Sequence, residues 1–110
     1  MYTIEKLKTL YVLANNNFKK LKLTNIKSKC GDGLNGWEEE SPFDKIFISV
    51  VVNQINDNLI KQINFDGKFI SPKLSSSGVQ ILQLFKVDKN ESLSKIEDIC
   101  EVNFNYFKTL

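Results

Sequence analysis

Phe43-Asp44-Lys45-Ile46-Phe47-Ile48-Ser49-Val50-Val51-Val52 decides the fold class. Ile46, Phe47, Ile48, Val50, Val51 and Val52 make a nearly unbroken run that is apolar on both faces, and such a run predicts a central parallel strand covered by helices. Moving toward the N-terminus, Glu38–Pro42 and Gly31–Trp37 read as loop by composition. Ile26, Ser28 and Cys30 alternate with lysines, which predicts a short strand with one wet face. Ile4, Leu7, Leu10, Tyr11, Ala14, Phe18 and Leu21 recur at spacings of three and four, so an amphipathic helix is expected from Glu5 to Lys20. The Asn15–Asn17 run weakens its last turns, and Met1–Ile4 reads as the tail of a strand.

Moving toward the C-terminus, Asn56 or Asp57 can cap a short helix carrying Leu59, Ile60 and Ile63. Asp66-Gly67 then turns the chain into a strand at Lys68–Pro72. A Ser-rich loop at Leu74–Gly78, a strand at Val79–Val87, a turn at Asp88–Ser92 and a last strand through Val102, Phe104 and Tyr106 complete the reading. The order is strand-helix-strand, loop, strand-helix-strand, then two strands. That is an α/β domain with a mainly parallel sheet and an antiparallel end.

Composition bounds what such a domain can do. The 110 residues carry 15 Lys+Arg against 13 Asp+Glu, a net charge of +2, with 42% hydrophobic and 25% charged residues. A polypeptide of this size buries about 65% of its unfolded surface, enough for one core. No apolar run reaches the roughly 20 residues of a membrane span, and the N-terminus lacks a secretion-signal layout, so a cytoplasmic location is expected. The sequence has no histidine, which removes imidazole zinc sites and every Ser-His or Cys-His nucleophile. Cys30 and Cys100 stand apart without a C-x-x-C pair and are expected to be reduced, semi-buried small hydrophobes. All fifteen basic residues are lysines, and bidentate reading of guanine or phosphate is the work of arginine, so no nucleic-acid partner is expected.

In open parallel sheets, ligands lie beyond the carboxyl ends of the strands. Glu5 follows the first strand, where a carboxylate can accept both hydroxyls of a ribose. Asp32 follows the second, between Gly31 and Gly33, which let backbone approach a flat ring closely. Ser49–Asn53 ends the apolar strand. Together these suit an adenosine held by its ribose and its exocyclic amine. Each residue also has a plainer reading. Glu5 alone is a first-turn acid favoured by the helix dipole, and Gly31-Asp32-Gly33 alone is a turn. Trp37 alone packs an edge, and Glu38–Glu40 is a solvated loop rather than a metal site. Lys19, Lys20, Lys22, Lys27 and Lys29 read as a wet face rather than an RNA patch.

Taken in order, Gly31-Asp32-Gly33-x-x-Gly36-Trp37, Pro42-Phe43-Asp44-x-Ile46 and Leu59-Ile60-x-Gln62-Ile63-x-x-x-Gly67-x-x-Ile70-x-Pro72 resemble the protein-L-isoaspartate O-methyltransferase family. Ile4-Glu5 is similar to the family's segment after its second strand, and Val102-x-Phe104 to the start of its last. The resemblance implies a partial class I methyltransferase (Rossmann-like) fold, with residues 1–110 as one domain, the C-terminal portion of an S-adenosylmethionine-dependent methyltransferase. By it, Glu5 binds the ribose of S-adenosylmethionine, Asp32 and Gly33 hold its adenine, and Ser49, Val51 and Pro72 face the aspartyl peptide. The implied reaction is methyl transfer to the carboxylate of isoaspartyl residues in damaged proteins, which are then the expected partners.

The family's helical front region, its central first strand and its Gly-rich loop stand before the segment matching Tyr2–Glu5 and have no counterpart here. A truncated chain, inactive alone, is therefore expected, working with a separately encoded N-terminal half or persisting as a non-enzymatic degenerate remnant or a self-associating α/β module. Val50-Val51-Val52-Asn53 replaces an Ala-rich, Pro-ended stretch. Phe65 and Asp66 stand where Pro and Gly are usual, and Lys73-Leu74 replaces Val-Gly.

Overall fold

The computed structural model describes residues 1–106. They form two compact units, Met1–Trp37 and the segment from Glu38 onward.

In the first unit, β1 (Tyr2–Glu5) and β2 (Lys27–Cys30) pair in parallel, with Tyr2 opposite Lys27 and Glu5 opposite Cys30. They are joined by α1 (Lys8–Lys20). The helix begins three residues later than its apolar spacing suggests, because Glu5 is spent as the last residue of β1 and its Oε1 accepts the Leu7 N–H at 3.0 Å. The three asparagines do not unwind it. Asn15 Nδ2 donates to the Tyr11 carbonyl at 2.8 Å and its Oδ1 accepts the Ser28 hydroxyl at 2.7 Å, tying the helix to β2. The apolar stripe divides: Tyr11, Ala14 and Phe18 are half-buried, whereas Leu7, Leu10 and Leu21 are exposed, and α1 buries no residue fully. A two-stranded sheet is too narrow to cover the helix face laid on it.

The second unit is a four-stranded sheet of order β3-β4-β5-β6, built from β3 (Phe43–Phe47), β4 (Ile63–Leu74), β5 (Gln80–Val87) and β6 (Leu93–Val102). β3 and β4 run parallel, joined through the short helix α2 (Asp57–Lys61), and the last two pairings are antiparallel. Asn56 is the cap of α2, its side chain accepting the Leu59 N–H at 3.1 Å.

The run Phe43–Val52 is not a single central strand. β3 stops at Phe47 and has only β4 beside it among the described strands. The last ladder bond is Ile48 N–H to the Ile70 carbonyl at 2.9 Å. The next would need an N–H from Pro72, which has none. Past that point Ile48 and Val51 still enter the core, at 9% and 5% exposure, and Val51 bridges Tyr106 in parallel. The core of this unit also holds Leu59, Ile63, Phe69 and Val87, with Phe69 at 0% exposure.

Asp66-Gly67 does not start β4 but lies within it. The pairing jumps from Phe43–Ile63 to Lys45–Lys68, and Asp66 takes a left-handed φ of 68°. The last strand lies earlier than expected. β6 ends at Val102, and Phe104 is held instead by the buried Gln80, which donates Nε2–H to its carbonyl at 3.0 Å and accepts its N–H at 2.7 Å.

Candidate functional site

Glu5 stands at the end of β1, and Asp32 lies two residues past the neighbouring end of β2. Glu5 ends β1, and its carbonyl accepts the Gly31 N–H at 3.0 Å, so the loop carrying Asp32 leaves β2 from the neighbouring strand tip. Asp32 Oδ1 accepts the Leu34 N–H at 2.9 Å and caps a 3-10 turn over Gly33–Asn35. Each acid thus gives one oxygen to a backbone N–H two residues ahead, which fixes the carboxylate and leaves its second oxygen to accept from a ligand.

The glycine that follows Asp32 is open. A Cβ built on Gly33 meets nothing within 4 Å, so no protein atom fills the space above that backbone. The two carboxylates are acceptors, complementary to hydroxyl or amine donors on a ligand.

The far end of the loop is anchored by side chains that sequence reasoning treated separately. The Lys27 and Lys29 ammonium groups lie 5.6 and 5.5 Å from the centre of the Trp37 ring, and Tyr2 meets that ring edge-on at 5.8 Å. Cation–π contacts of this length are favourable by about 0.5–1 kcal/mol at exposed sites. The signal was present in the sequence: Lys27 and Lys29 are two apart on one strand and share a face.

The three residues expected to face a peptide lie in the second unit. Ser49 is exposed, two residues past the end of β3. Pro72 is buried, at the level where the β3–β4 ladder ends. Val51 is a core side chain whose N–H donates to the Asn105 carbonyl at 2.9 Å, so its side chain offers a ligand little surface. Two open depressions, of 280 and 370 Å³, also lie in this unit, lined by Phe65, Asp66 and Lys86 and by Lys73, Gln83 and Asp98. Neither includes an expected residue.

Other expectations are corrected here. Cys30 and Cys100 are both exposed rather than semi-buried. Glu38–Glu40 forms a short 3-10 turn, and no group of three metal-capable side chains occurs among the described residues.

The family model described as protein-L-isoaspartate(D-aspartate) O-methyltransferase matches residues 1–106. The chain belongs to that family. The protein-L-isoaspartate O-methyltransferase of Thermosipho melanesiensis is 36% identical over 104 residues, which are 94% of this chain and 51% of the relative. Protein-L-isoaspartate O-methyltransferase 1 of Nitrosococcus oceani is 37% identical over 84 residues, 76% of this chain and 39% of that one. The chain thus spans about half the length, or less, of these relatives.

A solved protein-L-isoaspartate O-methyltransferase superposes with a TM-score of 0.87 at 29% identity, over 98% of this chain and 34% of that one. A second structure, described as a putative protein-L-isoaspartate O-methyltransferase from Plasmodium falciparum in complex with S-adenosyl-L-homocysteine, has a TM-score of 0.77 at 24% identity. It covers 97% of this chain and 51% of that one. The strands and helices here are therefore part of the methyltransferase α/β fold.

Proposed function

We propose that this chain is the carboxyl-terminal portion of a protein-L-isoaspartate O-methyltransferase domain, which holds S-adenosylmethionine and methylates isoaspartyl residues of damaged cytoplasmic proteins. The observation that carries the reading is the pair of acids on adjacent strand tips, each fixed through one oxygen, with an open glycine directly after Asp32. Glu5 accepts the ribose hydroxyls. Asp32 accepts the exocyclic amine of the adenine, and Gly33 lets the ring lie on the backbone. The cofactor supplies a methyl group on a sulfonium, an electrophile that needs no further activation.

The acceptor end is read from the second unit. Ser49, the Val51 backbone and Pro72 line the peptide. The acceptor is a carboxylate, already ionised at neutral pH, so a site without histidine is chemically sufficient. Alignment of the two reactants lowers the barrier by up to about 7–11 kcal/mol. Removal of water favours a step in which opposite charges cancel.

The exposed Leu10, Val12 and Leu13 of α1 favour a polypeptide partner, either a separately encoded front half or a second copy of this chain. The test is binding of labelled S-adenosylmethionine by the 110-residue chain, alone and mixed with the front segment of a relative. Saturable retention that Asp32→Ala removes is the expected result, together with methylation of an isoaspartyl peptide by the mixture. No retention in either condition overturns the proposal. A concentration-dependent dimer that ignores the cofactor would favour the self-associating reading.

A further inference from the structure

Outside the proposed chemistry, the loop between β2 and β3 carries the single Asn-Gly pair of the sequence, Asn35-Gly36. Glycine has no side chain to hinder its own amide nitrogen when that nitrogen approaches the carbonyl carbon of the preceding side chain. Asn35 is exposed and closes the 3-10 turn Gly33–Asn35. Two backbone bonds hold the turn, Asn35 N–H to the Asp32 carbonyl at 3.1 Å and Gly36 N–H to the Gly33 carbonyl at 3.0 Å. The second occupies the nitrogen that must attack, so reaction waits for the turn to open. A three-residue 3-10 turn has weak hydrogen-bond geometry, and opening it must also release the Leu34 N–H from the Asp32 cap. Gly36 is the one fully buried residue of the first unit, so its nitrogen is reached only when the turn opens, and the rate in the folded protein should lie below that in denaturant.

We infer that Asn35 is a spontaneous modification site, converting through a succinimide to an isoaspartyl or aspartyl residue. The Gly36 nitrogen bonds to Asn35 Cγ, and the bond from Cγ to the amide nitrogen Nδ2 breaks. The proton from the Gly36 N–H leaves with that nitrogen as ammonia. Water then opens the imide at either carbonyl, so the sum is asparagine plus water giving aspartate or isoaspartate plus ammonia. The isoaspartyl product adds a backbone methylene inside the turn and a carboxylate three residues from Asp32.

The two Asp-Gly pairs are poorer sites. Asp32 Oδ1 is held by the Leu34 N–H at 2.9 Å, and Asp66 Oδ1 is paired with the Lys86 ammonium at 2.7 Å. A carboxyl group is in addition a poorer electrophile toward an amide nitrogen than the carboxamide of asparagine. Gly67, after Asp66, is also packed against Ile63 and the Asn64 carbonyl.

The test is prolonged incubation of the full-length protein at mildly alkaline pH, followed by tryptic peptide mapping by mass spectrometry. The Cys30–Lys45 peptide is expected to gain one mass unit and split into two chromatographic forms, roughly tenfold faster than the peptide holding Asn15–Asn17, whose following residues carry side chains. Denaturant should accelerate the change, and Asn35→Gln should abolish it, since glutamine would have to close a larger ring. Conversion of Asn35 no faster than that of Asn15–Asn17, in denaturant as well as in buffer, overturns the inference.

Discussion

Gly67→Ala places a methyl group where the structure has no room for one. The new Cβ would stand 2.5 Å from Ile63 Cγ1, 2.7 Å from the Asn64 carbonyl oxygen and 3.1 Å from the Asp44 carbonyl oxygen. Two of those three atoms are backbone and cannot rotate away. The third belongs to a side chain with 7% exposure, in the core. Overpacking of this kind costs about 1–3 kcal/mol. Opposing it, alanine restricts the unfolded state and returns about 0.4–1 kcal/mol. The balance is a loss of about 1–2 kcal/mol, or about 5–15 °C in Tm for a domain of this size. Thermal unfolding of the whole protein, followed by circular dichroism, measures it. Gly67 sits where the β3–β4 register jumps, so the same variant should disturb the segment that carries Ser49. A Tm equal to or above that of the wild type would show that the residues around 63–67 relax freely, and the packing argument would fail.

Three further outcomes follow from named contacts. Asp32→Asn retains an oxygen for the Leu34 N–H and should keep the turn while weakening cofactor retention, whereas Asp32→Ala also removes the cap, at about 0.5–2 kcal/mol; equilibrium binding beside urea melts separates the two. Gln80→Leu leaves the Phe104 N–H and carbonyl without partners, which costs about 1–3 kcal/mol for each group that stays buried, and hydrogen exchange at Phe104 should accelerate. The Asp98 carboxyl is held below its ordinary 3.8, first by the Gln83 amide and then by Lys95. A folded value below the unfolded one stabilises above the ordinary value and is lost as pH falls through the lowered one. Acid urea titrations should therefore show a small drop at low pH that Asp98→Asn removes.

The positions of the two candidate acids were legible because they depend on local chemistry. Glu5 and Asp32 could be placed from strand ends alone, since each needs only its own strand and the backbone N–H two residues on. The strand limits were less legible because a partner strand sets them. Nothing within Ile48–Val52 says that pairing ends; the reason stands far along the sequence, in Pro72.

β6 hid itself differently. Leu93, Ile96, Ile99 and Val102 recur every third residue, a spacing that does not read as a strand. The pairing explains it. Gln83 stands opposite Asp98 and Leu82 opposite Cys100, while Phe85 stands opposite Lys95 and Leu84 opposite Glu97. Ile99 and Ile96 are the extra residues of two bulges, and each bulge lengthens the two-residue alternation to three.

Those two irregularities also set the direction in which the four-stranded sheet can grow. An outer strand that is bent twice and carries Lys95, Glu97, Asp98 and Glu101 is a poor template for another polypeptide. The opposite border, β3, is five residues long and ends at the exposed aromatic Phe47. Any incoming strand is thus steered to the β3 margin, and molecules that meet through their β6 sides should slide past each other rather than polymerise.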